Sequence, residues 1–199
     1  MWKETATLNY YNKYAQQYAA QTFSVDVSDL YTDFEACLNP GARILDLGCG
    51  SGRDSKHFIL QGYDVTPVDG SAEMCRMASD YLGIPVKCMR FSELKYKKEF
   101  DGIWACASLV HVPKDNIDDV MARVKRALKP DGVLYVSFKY GDGEENFGGR
   151  HFSYYSEYDL DWISDMGFIE YWISEDVRPG HAGEKWLNTL WQSKFHDNQ

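Results

Sequence analysis

Apolar and aromatic residues in the first forty positions recur at helical spacing. Within residues 7–20, three tyrosines fall on one face at four-residue intervals: Tyr10, Tyr14 and Tyr18. Residues 26–38 place a second apolar set on one helix face: Val27, Leu30, Tyr31, Phe34 and Leu38. Asn39-Pro40-Gly41 then interrupts the pattern. The pattern predicts two helices that form an N-terminal helical cap over residues 1–40.

After residue 41, short apolar runs alternate with amphipathic segments. The runs predict five strands, at 43–47, 64–68, 85–90, 100–105 and 133–138. The segments between them predict three helices, at 54–61, 72–82 and 116–128, with Ser71 as N-cap and Gly83 as the stop of the second. Such alternation indicates right-handed crossovers and a mostly parallel sheet with helices on both faces. The fold class is therefore α/β.

The last fifty residues follow a different pattern. A helix is predicted over 156–166, and two strand-like segments, 168–175 and 185–192, flank a polar loop and indicate an antiparallel hairpin at the sheet edge.

Lys129-Pro130-Asp131-Gly132 predicts a turn before the fifth strand. The segment 140–155 is rich in glycine and polar residues and is predicted to be a loop over the site. We expect one domain over 1–199, with a core at 41–199.

Composition narrows the function classes. The formal net charge is −9 and the isoelectric point is about 5.0, which disfavours nucleic acid as a partner. No apolar run is long enough for a membrane helix, and residues 1–5 lack the core of a signal peptide. The five cysteines form no C-x-x-C pair, so we expect reduced thiols, no metal site and a cytoplasmic location.

A strand, a glycine turn and a helix start follow each other at residues 43–58. Gly48, Gly50 and Gly52 alternate after the apolar run, and Asp69 closes the next strand about 20 residues on, where a ribose-binding acid is expected. Dinucleotide-binding turns need a third glycine three residues after the second, with the turn cradling a pyrophosphate. The G-x-G-x-G spacing, without a following phosphate-binding lysine, favours a nucleoside ligand that lacks phosphates.

The segment Asp46-Leu-Gly-Cys-Gly-Ser-Gly52 resembles motif I of the class I S-adenosylmethionine-dependent methyltransferases. The chain looks most like the small bacterial members similar to the tellurite-resistance methyltransferases. The resemblance implies a Rossmann-like sheet of seven strands with the last one antiparallel, an N-terminal helical lid, S-adenosylmethionine as cofactor and S-adenosylhomocysteine as product. It also implies an enzyme that methylates a small molecule, with anionic and chalcogen-containing acceptors expected, as a monomer or homodimer.

The same resemblance assigns residues to the cofactor. Asp69 would accept both ribose hydroxyls, and Asp46 would orient the turn or bind the amino-acid tail. Further contacts are implied for Gly48, Cys49, Gly50, Gly70, Ser71, Met74, Arg90, Phe91, Ala105 and Ser108. Asp54 either caps its helix or contacts the tail. Tyr11 and Tyr14 either pack in the core or cover the cofactor, where their rings would attract the sulfonium.

Three residues are candidates for the chemistry at the acceptor: His111, Arg150 and Tyr11. His111 follows the fourth strand at the carboxyl edge of the sheet, where it serves either as a general base or as a structural histidine. Lys139, Arg150 and Arg178 are predicted to form a cationic pocket for an anionic acceptor. The alternatives are a transfer RNA wobble-uridine methyltransferase, a cofactor-binding protein without catalysis and a nicotinamide-dependent oxidoreductase.

Overall fold

A computed structural model describes residues 5–163, 165–178 and 180–194. Residues 1–4 of the predicted cap and Pro179 of the predicted C-terminal hairpin loop lie outside the described residues. The helices are α1 Thr5–Thr22, α2 Ser28–Ala36, α3 Arg53–Leu60, α4 Ala72–Leu82 and α5 Ile117–Ala127. The strands are β1 Arg43–Leu47, β2 Asp64–Asp69, β3 Lys87–Cys88, β4 Phe100–Ala105, β5 Leu128–Tyr140, β6 Glu144–Phe147, β7 Arg150–Tyr155, β8 Gly167–Glu175 and β9 Lys185–Gln192.

The sheet formed by the described residues has nine strands, the seven that the resemblance implies and the β6–β7 hairpin. Its order is β3-β2-β1-β4-β5; β7 and then β6 continue from the end of β5, and β9 and then β8 pair along β5. The pairs from β3 to β5 are parallel, whereas β9 runs antiparallel to both β5 and β8. This order confirms the α/β fold and the reversed last strand. The strand order changes direction between β1 and β4, which are parallel neighbours with their carboxyl ends side by side. Open α/β sheets bind ligands at such a point.

Helices cover both faces of the sheet, as the alternation predicts. On one face α2 and α3 bury an aromatic layer against β1, β4 and β5: Tyr31, Phe34, Phe58, Trp104 and Tyr135. On the other face α5 packs aliphatic side chains against the same strands: Val120, Met121, Val124, Leu45, Ile103 and Leu134. Successive side chains of a strand point to opposite faces, so adjacent residues Leu45 and Ile44 of β1 join different layers. The division into a cap and a core domain stays a prediction.

The ends of α4 show how local sequence fixes an element. The Ser71 hydroxyl accepts a hydrogen bond from the Met74 amide at 3.2 Å, and Gly83 ends the helix with a left-handed φ of 72°. Both features match the predicted cap and stop. Helix α4 therefore begins directly after Asp69, which places its first turn beside the site.

Two predictions for the C-terminal third are wrong. The segment 140–155 is not a loop, since it contains a hairpin of β6 and β7 whose two-residue turn, Gly148 and Gly149, has φ values of 58° and 82°. Positive φ at both turn positions is what such a tight hairpin requires. The helix predicted over 156–166 is also absent: the described residues there form only a 3₁₀ turn at Asp161–Ile163.

The Ser156 amide and hydroxyl both donate to the Asp159 carboxylate, at 2.9 and 2.7 Å, as at a helix N-terminus, yet only the one 3₁₀ turn follows in the described residues. The Lys129–Gly132 turn is likewise wrong, because β5 continues through it. Asp131 takes a φ of 61°, and the register with β4 shifts between Phe100 and Gly102. The third strand is only two residues long.

Helix α1 lies across the carboxyl edge of the sheet. The Asn12 side-chain oxygen accepts from the Ser71 hydroxyl at 2.8 Å, and the Thr7 hydroxyl accepts from the His151 amide at 3.1 Å. The helix is kinked at Tyr14, where φ is −114° and ψ is 21°. These bonds tie α1 to α4 on one side and to the β6–β7 hairpin on the other. Among the described residues, no helix is long and apolar enough to cross a membrane.

Candidate active site

The turn after β1 is shaped by three glycines with left-handed backbones. Gly48, Gly50 and Gly52 have φ values of 84°, 55° and 91°. The amides of Gly48 and Cys49 both donate to the Val68 carbonyl at 2.9 Å, which fixes the turn to β2. A Cβ atom on Gly48 would lie 2.4 Å from the Ser108 Cβ. Glycine at this position therefore lets the β1 turn and the segment after β4 approach each other.

Asp69 presents its carboxylate at the end of β2. Its Oδ2 accepts from the Gly50 amide at 2.9 Å, and its Oδ1 accepts from the Ser71 amide at 2.8 Å. Burial raises the pKa of Asp69, and the backbone amides oppose that rise. A carboxylate oxygen can accept more than one hydrogen bond, so both oxygens keep capacity for a ligand with two adjacent hydroxyls. This is the geometry that a ribose diol requires.

A covered cavity extends from this turn beneath α1. Its volume is about 90 Å³. Ten of the residues predicted from the sequence line it: Tyr11, Gly48, Gly50, Asp69, Gly70, Met74, Arg90, Phe91, Ser108 and His111. The Ser108 hydroxyl is buried without a hydrogen-bond partner. A buried polar atom without a partner is costly, so a bound ligand is expected to contact it.

The two other predicted acids lie behind the cavity and not on its wall. Asp54 accepts from Tyr31 at 2.7 Å, from Arg53 at 2.6 Å and from Trp104 at 2.9 Å. Burial by itself raises the pKa of Asp54, but Arg53 and these donors hold it below its usual value. Asp46 accepts from Ser55 at 2.5 Å, and burial, followed by the charge of Asp54, raises the pKa of Asp46 to about 8. Both acids therefore lie in the protein interior, hydrogen-bonded to protein side chains and not to the cavity.

Four further predicted residues also lie off the cavity wall. Tyr14 packs against Tyr10, with ring centres 5.0 Å apart, because the kink in α1 falls at Tyr14 itself. Ser71 is used as the cap of α4, and Ala105 is fully buried in the core. Cys49 packs on α4 near Ala78 and Leu82. The structure does not bring their side chains to the cavity.

Five lining residues were not predicted: Thr7, Leu8, Tyr18, Cys106 and Ala107. A spacing signal existed for the residues of α1. Thr7, Tyr11 and Tyr18 are four and seven residues apart, which places them on one helix face. Cys106 and Ala107 directly follow β4, so the same rule that selected Ser108 applies to them.

Tyr11 and His111 form a hydrogen-bonded pair on the cavity wall. The Tyr11 hydroxyl lies 2.7 Å from His111 Nε2, and His111 Nδ1 lies 2.7 Å from the His151 carbonyl oxygen. A carbonyl only accepts, so Nδ1 carries the hydrogen and Nε2 of the neutral ring accepts from Tyr11. Burial lowers the pKa of His111 to about 4, and the nearby charge of Arg150 adds to that effect.

This pKa makes a prediction about stability in acid. The unfolded chain protonates a histidine near pH 6.5, so below that pH the unfolded state binds a proton that folded His111 rejects. Stability should therefore fall as the pH decreases from about 6.5 to about 4, by roughly 3 kcal/mol from this group. Urea unfolding of the wild type and of His111→Gln across this window measures the difference. Parallel pH profiles for the two proteins would contradict it.

The predicted cationic pocket is corrected by the structure. Lys139 pairs with Glu184 at 2.7 Å, and Arg178 donates to Asp176, so neither cation faces an acceptor site unpaired. Arg150 differs from both: among the described residues it has no carboxylate within ion-pair distance, and its Nε is buried without a partner.

Arg150 is held by aromatic rings. Its guanidinium carbon lies 4.4 Å from the ring centre of Tyr10, 4.9 Å from that of Phe152 and 6.0 Å from that of Tyr11. Arg150 does not line the cavity itself and lies behind Tyr11, one ring away. Its charge acts on both Tyr11 and His111, and it has no carboxylate within ion-pair distance among the described residues.

Comparisons with known proteins agree with this geometry. Residues 44–132 match the model of a methyltransferase domain family. Cyclopropane-fatty-acyl-phospholipid synthase of Escherichia coli (strain K12) is 36% identical over 102 residues, which cover 50% of this chain and 26% of that protein. The putative methyltransferase YqeM of Bacillus subtilis (strain 168) is 30% identical over 156 residues, covering 68% of this chain and 63% of YqeM. The chain thus spans less than two thirds of these relatives.

Solved structures share the fold. A 1,6-didemethyltoxoflavin-N1-methyltransferase from Burkholderia thailandensis, solved with its substrate and S-adenosylhomocysteine, has a TM-score of 0.77 at 22% identity and covers 96% of this chain and 88% of its own. TehB from Haemophilus influenzae has a TM-score of 0.71 at 18% identity, over 93% of this chain and 67% of its own. Residues 44–132 are therefore a methyltransferase domain, and the chain shares its fold with these solved structures.

Proposed function

We propose that this chain methylates a small anionic acceptor, with S-adenosylmethionine bound between the glycine turn and α1. The observation that carries the proposal is one cavity beneath α1 whose wall holds two chemically different groups. One is the Asp69 carboxylate, with hydrogen-bonding capacity on both oxygens. The other is the Tyr11–His111 pair, with Arg150 behind Tyr11.

The residues present fit the cofactor. Asp69 binds the ribose diol, and the Gly48 turn offers backbone to the amino-acid part of the ligand. Ser108 supplies the buried hydroxyl that lacks a partner. Met74 and Phe91 supply apolar wall for the base. When bound, the cofactor supplies a methyl group already activated on a sulfonium, so the protein has chiefly to align the acceptor and exclude water.

The cover favours a small acceptor. Helix α1 crosses the cavity and is bonded to both Ser71 and His151, an arrangement that favours a small acceptor over a macromolecule. The net charge of −9 opposes binding of a polyanion such as transfer RNA. Similar proteins include a cyclopropane-fatty-acyl-phospholipid synthase and a ubiquinone biosynthesis O-methyltransferase. These names point to different acceptors and do not select one class.

Arg150 favours a negative charge on that acceptor. Arg150 lies behind the Tyr11 ring with its Nε buried and no carboxylate within ion-pair distance among the described residues, so its charge attracts an anion on the cavity side of that ring. The rings of Tyr11, Tyr18 and Phe91 on the cavity wall favour a flat, apolar body. A monocyclic aromatic acid combines both features, and we take this class as the first to test.

Replacing Arg150 by alanine should raise KM for an anionic acceptor by about 10-fold or more and leave the affinity for S-adenosylhomocysteine unchanged. The reason is the loss of the positive charge that lies one ring behind the acceptor, which attracts an anion by roughly 1–2 kcal/mol. Steady-state kinetics and calorimetry measure the two quantities. Arg150→Lys should recover part of the loss, and Arg123→Ala, on the outer face of α5, serves as the control. Equal weakening of acceptor and cofactor binding would contradict the assignment.

Release of S-adenosylhomocysteine tests the function itself. The screen covers aromatic acids with hydroxyl, ring nitrogen or thiol groups, aliphatic carboxylates, amines, and tellurite and selenite. Unmodified transfer RNA forms a separate arm. The proposal expects turnover with at least one small anion and none with transfer RNA. Turnover with transfer RNA alone would replace it by the RNA alternative.

A further inference from the structure

We propose that Tyr11 and His111 act as a proton relay, so that the acceptor is an O–H or N–H compound that loses its proton during methyl transfer. This inference rests on the proposed function and names the acceptor class within it. In the relay Tyr11 is the group that touches the acceptor. His111 receives the proton from behind.

The order of the relay follows from the hydrogen-bond directions. His111 Nδ1–H is committed to the His151 carbonyl at 2.7 Å, which leaves Nε2 as the basic atom of the ring. That lone pair is already occupied by the Tyr11 hydroxyl at 2.7 Å. An acceptor therefore cannot reach Nε2 while the pair is intact. It can reach the Tyr11 oxygen, which lies on the cavity wall. With its hydrogen pointing to His111, this oxygen has two lone pairs, which it shares between its neighbours Arg150 and Tyr18 and the acceptor.

The proton movements balance in a single step. The acceptor's O–H or N–H bond breaks and its proton goes to the Tyr11 oxygen, while the original Tyr11 proton goes to His111 Nε2. The electron pair freed on the acceptor forms the bond to the methyl carbon, and the sulfur keeps the pair of the broken carbon–sulfur bond. One positive charge is lost at sulfur and one is gained at the imidazole. The total charge of the closed site is therefore unchanged, which matters where burial makes any added charge costly.

The surroundings of His111 reset the relay after each turnover. Phe152 packs on the ring with centres 5.0 Å apart, and Arg150 and Lys139 contribute positive charge nearby. The charge of the His151 side chain also lowers the pKa of His111, whereas the hydrogen bond to the His151 carbonyl raises it. Burial and these charges disfavour an imidazolium at rest, so the ring gives up its proton when the site opens. The resting pair is thus neutral and ready to accept a proton.

The relay is complete only when α1 is closed. Tyr11 is on α1, and Thr7 of the same helix accepts from the His151 amide at 3.1 Å. The carbonyl of that same residue, His151, fixes the His111 tautomer. Closure of α1 therefore brings Tyr11 to His111 and, through Thr7, also holds His151, the residue that sets the tautomer of His111. An opened α1 would leave His111 without Tyr11, and methyl transfer to an un-ionised acceptor would stop.

Nuclear magnetic resonance of ¹⁵N-labelled histidine tests the pair without any turnover. The relay requires that His111 near neutral pH carries its hydrogen on Nδ1 and that the Nε2 signal shifts in Tyr11→Phe. Tyr81→Phe, an exposed tyrosine of α4, should leave the signal unchanged. A His111 ring protonated on Nε2, or a cationic ring at neutral pH, would overturn the relay.

Kinetics with matched acceptors test the proton transfer. The probes are hydroxybenzoates, which keep their phenolic proton near neutral pH, and mercaptobenzoates, whose thiols are already ionised there. General acid–base catalysis contributes about 10²–10⁴-fold, so Tyr11→Phe and His111→Gln should lower kcat for the hydroxybenzoate by roughly 10²-fold or more. The double variant should be no worse than either single variant, because the two residues act as one unit. The mercaptobenzoate rate should change little.

The outcomes separate the two proposals. Equal losses for both probes, or no loss for either, would overturn the relay and leave the small-anion proposal standing. A wild-type protein that binds S-adenosylhomocysteine but methylates neither probe nor any other small anion would overturn both. Selective loss with the hydroxyl probe supports both.

Discussion

Replacing Asp69 by asparagine should weaken binding of S-adenosylhomocysteine by at least about 10²-fold, because each hydrogen bond to a charged group contributes roughly 1.5–3 kcal/mol and the ribose diol makes two. Asparagine keeps the shape of the side chain but offers only one acceptor oxygen. It therefore cannot accept from both the Gly50 and Ser71 amides and from two ligand hydroxyls. Isothermal calorimetry measures the affinity directly.

A matched variant on the same strand controls for general effects. Asp64 begins β2, at the end away from the site, and its exposed carboxylate makes only a 3.6 Å ion pair with Arg43. Asp64→Asn should bind S-adenosylhomocysteine like the wild type, and both variants should unfold cooperatively. Unchanged affinity in a folded Asp69→Asn protein would remove Asp69 from the ribose site.

Introducing a methyl group at Gly48 should destabilise the fold by about 2–5 kcal/mol, from the left-handed backbone and the overpacked contact together. The new Cβ would lie 2.4 Å from the Ser108 Cβ, and φ at this position is 84°. Urea unfolding of Gly48→Ala measures the loss. Gly50→Ala is the control, since its φ is 55° but nothing lies within 4 Å of its Cβ, so it should lose only the backbone part.

A second substitution separates the two causes. Removing the Ser108 side chain in the Gly48→Ala, Ser108→Gly double variant removes the atom that the new methyl group meets. The double variant should regain the packing part of the loss and keep the backbone part. If it is no more stable than Gly48→Ala, the close approach of the two segments does not explain the glycine.

Local sequence signals account for most of the sheet and the cofactor end of the site. Strands β1 and β4 and helix α4 have the predicted bounds, because their apolar runs end at clear breakers such as Gly83. The three glycines and Asp69 belong to one strand-helix-strand unit, β1-α3-β2. Because they are close in sequence, the connection between the two strands places them side by side. The prediction there needed no knowledge of tertiary packing.

The acceptor end depends on contacts across long stretches of chain. Tyr11 and His111 are 100 residues apart, and His111 and His151 are 40 apart. Their pairing depends on where α1 crosses the sheet and on the β6–β7 hairpin, which glycine content had suggested to be a loop. The kink at Tyr14 likewise decides that Tyr18 and not Tyr14 faces the cavity. No local pattern encodes these placements.

The ion pairs of the three predicted cations could not be read from the sequence either. Lys139, Arg150 and Arg178 look alike in the sequence, yet Glu184 and Asp176 neutralise two of them. Those carboxylates belong to the polar segment between β8 and β9, which folds back beside the end of β5. Only the folded chain distinguishes Arg150, whose neighbours are rings.

Calorimetric titration of the wild-type chain with S-adenosylhomocysteine, beside a parallel titration with NAD, tests the central claim most directly. A nucleoside site without a pyrophosphate cradle predicts saturable binding of one S-adenosylhomocysteine per chain and no heat with NAD. Binding of NAD at the Gly48 turn, or no binding of S-adenosylhomocysteine to the folded protein, would contradict it.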